Sequence, residues 1–248
     1  MSSDPKDAAS TTASKADDAQ DAGRAAWLAA SMELLEQEKK FSKERARLAE
    51  QRRKLPAYAI SKEYIFEAAE SNAQVPFRKL FGDNNQLIVY HFMFDESWEK
   101  ACQSCSFFVD GFDAVLPHLK PRASMVAVAH ATAGKLKSLA EWKKWSNMPL
   151  YSSHNSSFNF DFQVSFAAEQ PDKTYNFNRT WPYGKHAPGI SVFQLREDGK
   201  IYHTYSTFAA GLAEFQTVFS LLDITPEGRK EKGGNSHNMF WLKHKEEY

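Results

Sequence analysis

The two cysteines of this 248-residue chain stand three apart, in the string Cys102-Gln103-Ser104-Cys105. Thiols at that spacing can exchange disulfides: once the first has attacked a substrate, the second lies one helical turn on, within reach of the mixed disulfide. The chemistry asks for a helix start. A helix's first turn offers unpaired N–H groups and the positive end of its dipole, which favour a thiolate over a thiol. Cys102 is then the nucleophile and Cys105 the resolving thiol. Half of a zinc site and inert packing are the other uses of such a pair. Zinc needs two further ligands, and the next histidines, His118 and His130, lack the close spacing of a structural finger. No metal or cofactor is expected.

The elements that must hold the pair are readable on either side. Residues 87–94, Leu-Ile-Val-Tyr-His-Phe-Met-Phe, are too few to span a membrane and rich in β-branched and aromatic side chains, which predicts a buried strand. Residues 95–101 form a loop. From Phe107, the apolar residues Phe107, Phe108, Phe112, Val115, Leu116 and Leu119 recur at helical spacing, with Pro117 and Pro121 bracketing the end. Residues 123–129 read as a second buried strand. Strand, helix, strand makes a right-handed crossover and a parallel pair, whose carboxyl ends share the sheet edge where open α/β sheets place ligands.

Trp98, His130 and Pro188 are the residues expected beside the thiols. His130, ending the second strand, reads as a loop histidine open to water; if it faces the dithiol it could steady a thiolate or relay a proton. Pro188, ahead of Gly189, could hold a cis turn there. Asp95, Glu96 and Glu99 crowd the approach to Cys102 and are expected to raise its pKa, against the helix dipole.

Composition bounds the partners. Lysine plus arginine equals aspartate plus glutamate, for a formal net charge of zero, so the basic footprint of a nucleic-acid binder is missing. No segment is apolar enough for a bilayer, and the start lacks the apolar core of a secretory signal. A cytoplasmic protein is expected, and two cysteines in one CxxC, with no disulfide framework, agree with a reducing compartment.

Residues 1–23, rich in Ser, Thr, Ala and Asp, read as a disordered tail. Over 24–55 the composition turns to Ala, Leu, Glu, Lys and Arg, with Trp27, Leu34, Phe41, Leu48 and Leu55 every seventh residue: a long amphipathic helix, able to lie on the following domain or to make a homo-oligomer. Residues 56–248 form one domain. Within it, 58–66 suggests a short strand or hairpin, 134–145 a helix, and 170–187 a loop. Ser157-Phe158-Asn159-Phe160-Asp161-Phe162 alternates like a strand with an aromatic face, or a structured loop. Residues 190–195 and 200–205 flank Asp198-Gly199, a strong hairpin signal. Phe208, Leu212, Phe215, Phe219 and Leu222 predict one more helix, stopped at Thr225-Pro226, and residues 239–242 a last strand or docking segment.

This order of elements is that of the thioredoxin fold, and several strings carry a closer likeness: residues 86–94, Cys105-Ser106-Phe107, Pro188-Gly189-Ile190-Ser191-Val192-Phe193, residues 202–207, 222–229 and 244–248. They resemble the thioredoxin-like family catalogued as domain of unknown function 899, described as predicted dithiol-disulfide oxidoreductases. The resemblance runs from about Trp27 to Tyr248. It implies an α/β, thioredoxin-like domain with a central mixed sheet flanked by helices, a long N-terminal helix, and a working dithiol at Cys102 and Cys105. Its substrate would be a disulfide-containing protein or small thiol, with a separate reductase to reset the pair. Two departures stand out: Gln103 where the family typically has proline, and Ala129-His130-Ala131 where it typically has Ser-Arg-Ala. A thiol peroxidase is the other enzyme this fold could make, although residues 94–101 lack the Pro-x-x-x-Thr-x-x-Cys string that binds peroxide. An interaction module built on the long helix is the reading outside enzymes.

Overall fold

A computed structural model describes residues 5–167, 174–180, 184–231 and 239–248. The chain divides into two compact units, Met1–Leu55 and Pro56–Tyr248. The first is one helix, α1 (Pro5–Arg53). It begins well before Arg24, inside the stretch whose composition suggested a disordered tail; the many alanines there, the strongest helix formers, extend it. The heptad residues Trp27, Leu34, Phe41, Leu48 and Leu55 are exposed.

The second unit is built on an eight-stranded sheet. Its strands are β1 (Tyr58–Ala59), β2 (Ile65–Ala68), β3 (Gln74–Pro76), β4 (Gln86–His91), β5 (Ser124–Ala129), β6 (Leu150–Ser152), β9 (Gly189–Leu195) and β10 (Ile201–Phe208), and a separate small ribbon pairs β7 (Thr174–Tyr175) with β8 (Arg179–Thr180). Across the sheet the order is β1-β10-β9-β4-β5-β6-β2-β3. The β4–β5 and β5–β6 pairs are parallel, while β4–β9 and β9–β10 are antiparallel. Among the described residues the helices of the unit are α2 (Gln103–Leu119), α3 (Ala133–Lys143), α4 (Phe158–Asp161) and α5 (Thr217–Asp223). A parallel pair joined through α2, followed by an antiparallel hairpin, makes the domain thioredoxin-like, with a mixed sheet flanked by helices. Among the described residues no helix is long and apolar enough to cross a membrane.

Strand alternation sorts the core into two faces. Tyr90, Met125, Ala127 and Ile190 point to one, where Phe108, Val109, Phe112 and Leu116 of α2 and Leu136 and Leu139 of α3 cover them. Leu87, Val89, Val126, Val128 and Phe193 point to the other, under Phe77, Leu80 and Phe81 of a 3-10 turn and Phe158 of α4. Both faces of β4 and β5 are therefore buried, which explains why these strands read as unbroken apolar runs.

Four local expectations need correction. Pro117 does not bracket α2 but sits in its last turn; the Asp113 carbonyl, which Pro117 cannot satisfy without an N–H, accepts instead from Asn147 Nδ2 at 3.1 Å. The Ser157–Phe162 alternation makes the short helix α4 and not a strand: Phe158 and Phe162, four apart, are buried together, and Phe160 is exposed. The single helix expected over 208–222 is broken. Phe208 pairs with Gly189 as the end of β10, a 3-10 turn spans Ala209–Phe215, and the buried Gln216 turns its amide to the Phe107 carbonyl of α2 at 2.9 Å before α5 starts. Residues 58–66 are no hairpin, since β1 pairs with β10 at one sheet edge and β2 with β3 and β6 near the other. The stretch 170–187 lies partly outside the described residues; what is described includes the β7–β8 ribbon.

Candidate active site

The exit of β4 positions the dithiol. Phe92 still donates to the Val128 carbonyl at 2.9 Å, so the chain leaves the sheet beside β5, and the Cys102 amide returns to the Met93 carbonyl at 3.2 Å. Between them Asp95 accepts from the Ser97 amide at 2.9 Å, a side-chain-closed turn that folds the loop back. Cys102 thereby becomes the residue capping α2, the place the sequence indicated. Its Sγ accepts from the Cys105 amide at 3.5 Å, in the role an Asp or Ser oxygen usually fills, and its carbonyl accepts from Ser106 at 2.9 Å.

Cys102 and Cys105 are free thiols 3.6 Å apart, the first part-exposed and the second buried. Their environments push them in opposite directions. The Cys105 thiol donating to Cys102, followed by the Cys105 and Ser104 amides, brings Cys102 down to about 7 in spite of burial. Burial, then the neighbouring Cys102 sulfur, drives Cys105 well above the usual thiol range. Tyr90, fully buried on β4, has its hydroxyl against the Cys105 sulfur, with no oxygen or nitrogen partner among the described residues. Tyr175 also lies close to Cys105; its hydroxyl donates to the Pro188 carbonyl and accepts from the Ala209 amide at 3.0 Å.

The acidic residues of the loop do not act as the sequence suggested. Asp95, Glu96 and Glu99 are not among the influences on Cys102: Asp95 and Glu96 turn to other partners, and Glu99 is exposed. Asp95 faces His186, with Oδ2 2.9 Å from His186 Nε2, and Glu96 pairs with His154 Nε2 at 3.0 Å. Burial works against the Asp95 anion, but Ser97 and His186 outweigh it and hold the carboxyl well below the usual carboxylate range.

His130 is not a freely exposed loop residue but only part-exposed. It is about one-fifth exposed, with Nδ1 3.4 Å from Asp95 Oδ2 and its ring 5.6 Å from that of His186 and 5.4 Å from that of His154. Burial lowers the pKa of both His130 and His186 despite the nearby carboxylate. Trp98 is half-buried against the core that holds Cys102, its ring centre 5.6 Å from that of His186 in a T-shaped contact. Pro188 opens β9 through a trans bond, so the cis turn does not form. Gly189 follows because a Cβ there would meet the Phe208 ring at 2.6 Å.

Sequence reasoning passed over His186, Ser165 and Tyr175. Each lies in a stretch without periodicity, and His186 acquires its meaning only when Ser165 Oγ meets its Nδ1 at 2.8 Å and Asp95 its Nε2. A histidine two residues before Pro188-Gly189 was the one available signal.

The fold and the site define a thioredoxin-like protein with a dithiol at a helix start. The chain belongs to the family described as bacterial protein of unknown function (DUF899), which matches residues 17–248. Among solved structures it is similar to peroxidoxin BcpB from Mycobacterium tuberculosis at 11% identity and a TM-score of 0.46, covering 68% of this chain and 97% of that one. Peroxiredoxin Q from Xanthomonas campestris is 13% identical with a TM-score of 0.45, covering 66% and 97%. BsSco, a member of the Sco family of cytochrome c oxidase assembly proteins, is 14% identical with a TM-score of 0.39, covering 67% and 92%. No curated protein matches the chain.

Proposed function

We propose that this protein is a thiol-disulfide oxidoreductase in which Cys102 attacks and Cys105 resolves. The observation that carries the reading is the contrast between the two sulfurs: a part-exposed cap residue drawn down to about 7, and a buried partner 3.6 Å away held as a thiol. The Cys102 thiolate attacks one sulfur of a substrate disulfide, forming the mixed disulfide and releasing the other substrate sulfur as a thiolate. Cys102 then carries no charge, and one of the influences that held the Cys105 proton in place is gone. The Cys105 proton passes to the released substrate thiolate, the Tyr90 hydroxyl can donate to the sulfur left behind, and the new thiolate attacks Cys102. The second substrate thiol leaves, the Cys102–Cys105 disulfide forms, and the substrate has gained two electrons.

An external dithiol reductase must return those electrons. The substrate class is a disulfide-bonded protein or small disulfide, and a reducing compartment such as the cytoplasm suits the cycle. The test is trapping: Cys105→Ser should accumulate a mixed disulfide with an added peptide disulfide, and Cys102→Ser should not. Equal trapping by the two variants would overturn the assignment of roles.

A further inference from the structure

Three separate segments bring ligand-type atoms together at the carboxyl edge of the sheet: Asp95 from the loop after β4, His130 from the end of β5, and His186 from the approach to β9. One ligand atom from each of the three side chains lies within 4.8 Å of the other two. We propose that these three side chains hold a divalent first-row transition-metal ion, with zinc as the working probe, and leave at least one coordination position open. The proposal does not depend on the thiols.

The two spacings to Asp95 Oδ2 fit an ion. Ligand atoms about 2.0–2.1 Å from a shared metal, at angles between octahedral and tetrahedral, stand about 2.9–3.4 Å apart. Oδ2 lies 2.9 Å from His186 Nε2 and 3.4 Å from His130 Nδ1. The first distance also suits a hydrogen bond. The second does not, and His130 Nδ1 is buried without a hydrogen-bond partner. A metal at the common centre would satisfy that nitrogen and replace the His186 Nε2 proton in the same step.

The surrounding groups are those a metal site needs. His186 Nδ1 is held by Ser165 Oγ at 2.8 Å, which fixes the ring orientation with Nε2 inward. Asp95 keeps Oδ1 for the Ser97 amide and hydroxyl, leaving Oδ2 for the centre. His154, bonded through Nδ1 to the His130 carbonyl at 3.2 Å, steadies the backbone from behind. One carboxylate among neutral imidazoles leaves a net negative charge in a nearly closed space, which favours a cation. Of the nearby lysines, Lys135 spends its ammonium on the Glu96 and Trp98 carbonyls, and Lys185, next to His186 in sequence, is exposed to solvent. Two imidazoles and one carboxylate select zinc, iron(II) or cobalt(II) over calcium or copper(I), and the part-exposed His130 gives a way in.

The test uses the full chain with Cys102→Ser and Cys105→Ser together, so that thiolates cannot supply the binding. After chelator treatment, calorimetric titration with zinc should show one ion per chain, and cobalt(II) should give visible bands of a nitrogen–oxygen site. In that background His130→Ala, His186→Ala and Asp95→Asn should each weaken zinc at least tenfold, while His154→Ala changes it by less than that. If His186→Ala does not fold, His130→Ala decides. Zinc binding only to chains that keep their thiols, or binding unchanged by His130→Ala and Asp95→Asn, would overturn the proposal. Neither result bears on mixed-disulfide trapping, so the two readings fail separately.

Discussion

Cys105→Ala tests the electrostatics of the dithiol most directly, because the hydrogen bond from Cys105 is the largest influence holding Cys102 at about 7. An unperturbed thiol titrates near 8.5, so at pH 7 Cys102 is about half thiolate in the native protein and would be about 3% thiolate if the variant released it fully. Intrinsic reactivity moves the other way. With a Brønsted slope of about 0.4–0.5, the more basic thiolate attacks about fivefold faster. Alkylation of Cys102 by iodoacetamide should therefore slow about threefold at pH 7 and quicken about fivefold at pH 10, where both forms are ionised. The Cys105 and Ser104 amides remain in the variant, so these factors are ceilings, but the crossing of the two pH profiles is fixed in sign. General loosening of the site would shift both ends the same way. The assay follows alkylation by mass spectrometry from pH 5 to 10, with the label localised to Cys102. A native midpoint at 8.5 or above, or superimposable profiles for the two proteins, would refute the reasoning.

Two further outcomes follow from buried charge. Burial holds His91 at about 3, against 6.5 for an exposed imidazole, so between those values the unfolded chain binds a proton that the folded chain refuses. Stability should then fall as pH drops below about 6.5, by up to a few kcal/mol, with no contribution from this group above that range; urea melts across pH 4–7 should show the slope, and His91→Asn should flatten it. Lys143 is fully buried, with Nζ 2.7 Å from Glu246 Oε2 and 3.2 Å from Asp110 Oδ2, and so ties the C-terminal segment to α2 and α3. Asp110→Ala with Glu246→Ala should cost about 3–5 kcal/mol in urea denaturation by stranding that ammonium, while either single variant leaves one carboxylate in place and should cost less, as should Lys143→Met, which removes the buried charge and leaves part-solvated carboxylates.

What was legible in the sequence was whatever local pattern decides. The runs at 87–94 and 123–129 are apolar on both faces because both faces are covered, and a parallel pair with a crossover follows from their separation by one helix. Asp198-Gly199 predicts its hairpin because Gly199 takes a positive φ of 76°, open to glycine at no steric cost. The misreadings fall where tertiary contacts outvote pattern. Phenylalanines at alternate positions look like a strand face, yet Phe158 and Phe162 pack over β4 from a helical turn while Phe160 sets its edge against His130. The apolar spacing across 208–222 is helical, yet the pairing of Phe208 with Gly189 claims the first of its residues for the sheet.

The site divides in the same way, and the division is physical. That Cys102 caps α2 is a local fact, set by three residues and a helix start. Where the charges of the 95–101 loop go is not local, because a carboxylate turns toward whichever partners the fold delivers. Proximity in sequence made Asp95 a threat to the Cys102 thiolate; the meeting of β5 and the approach to β9 supplied His130 and His186, and drew the charge away from the sulfur. Cys102 thus caps α2 while Asp95 is engaged with the two histidines, and the half-buried Trp98 packs against both the core around Cys102 and the His186 ring. A thiol drawn down to about 7 so close in sequence to Asp95 is compatible with that engagement, since a carboxylate held by Ser97 and His186 is not among the influences on Cys102.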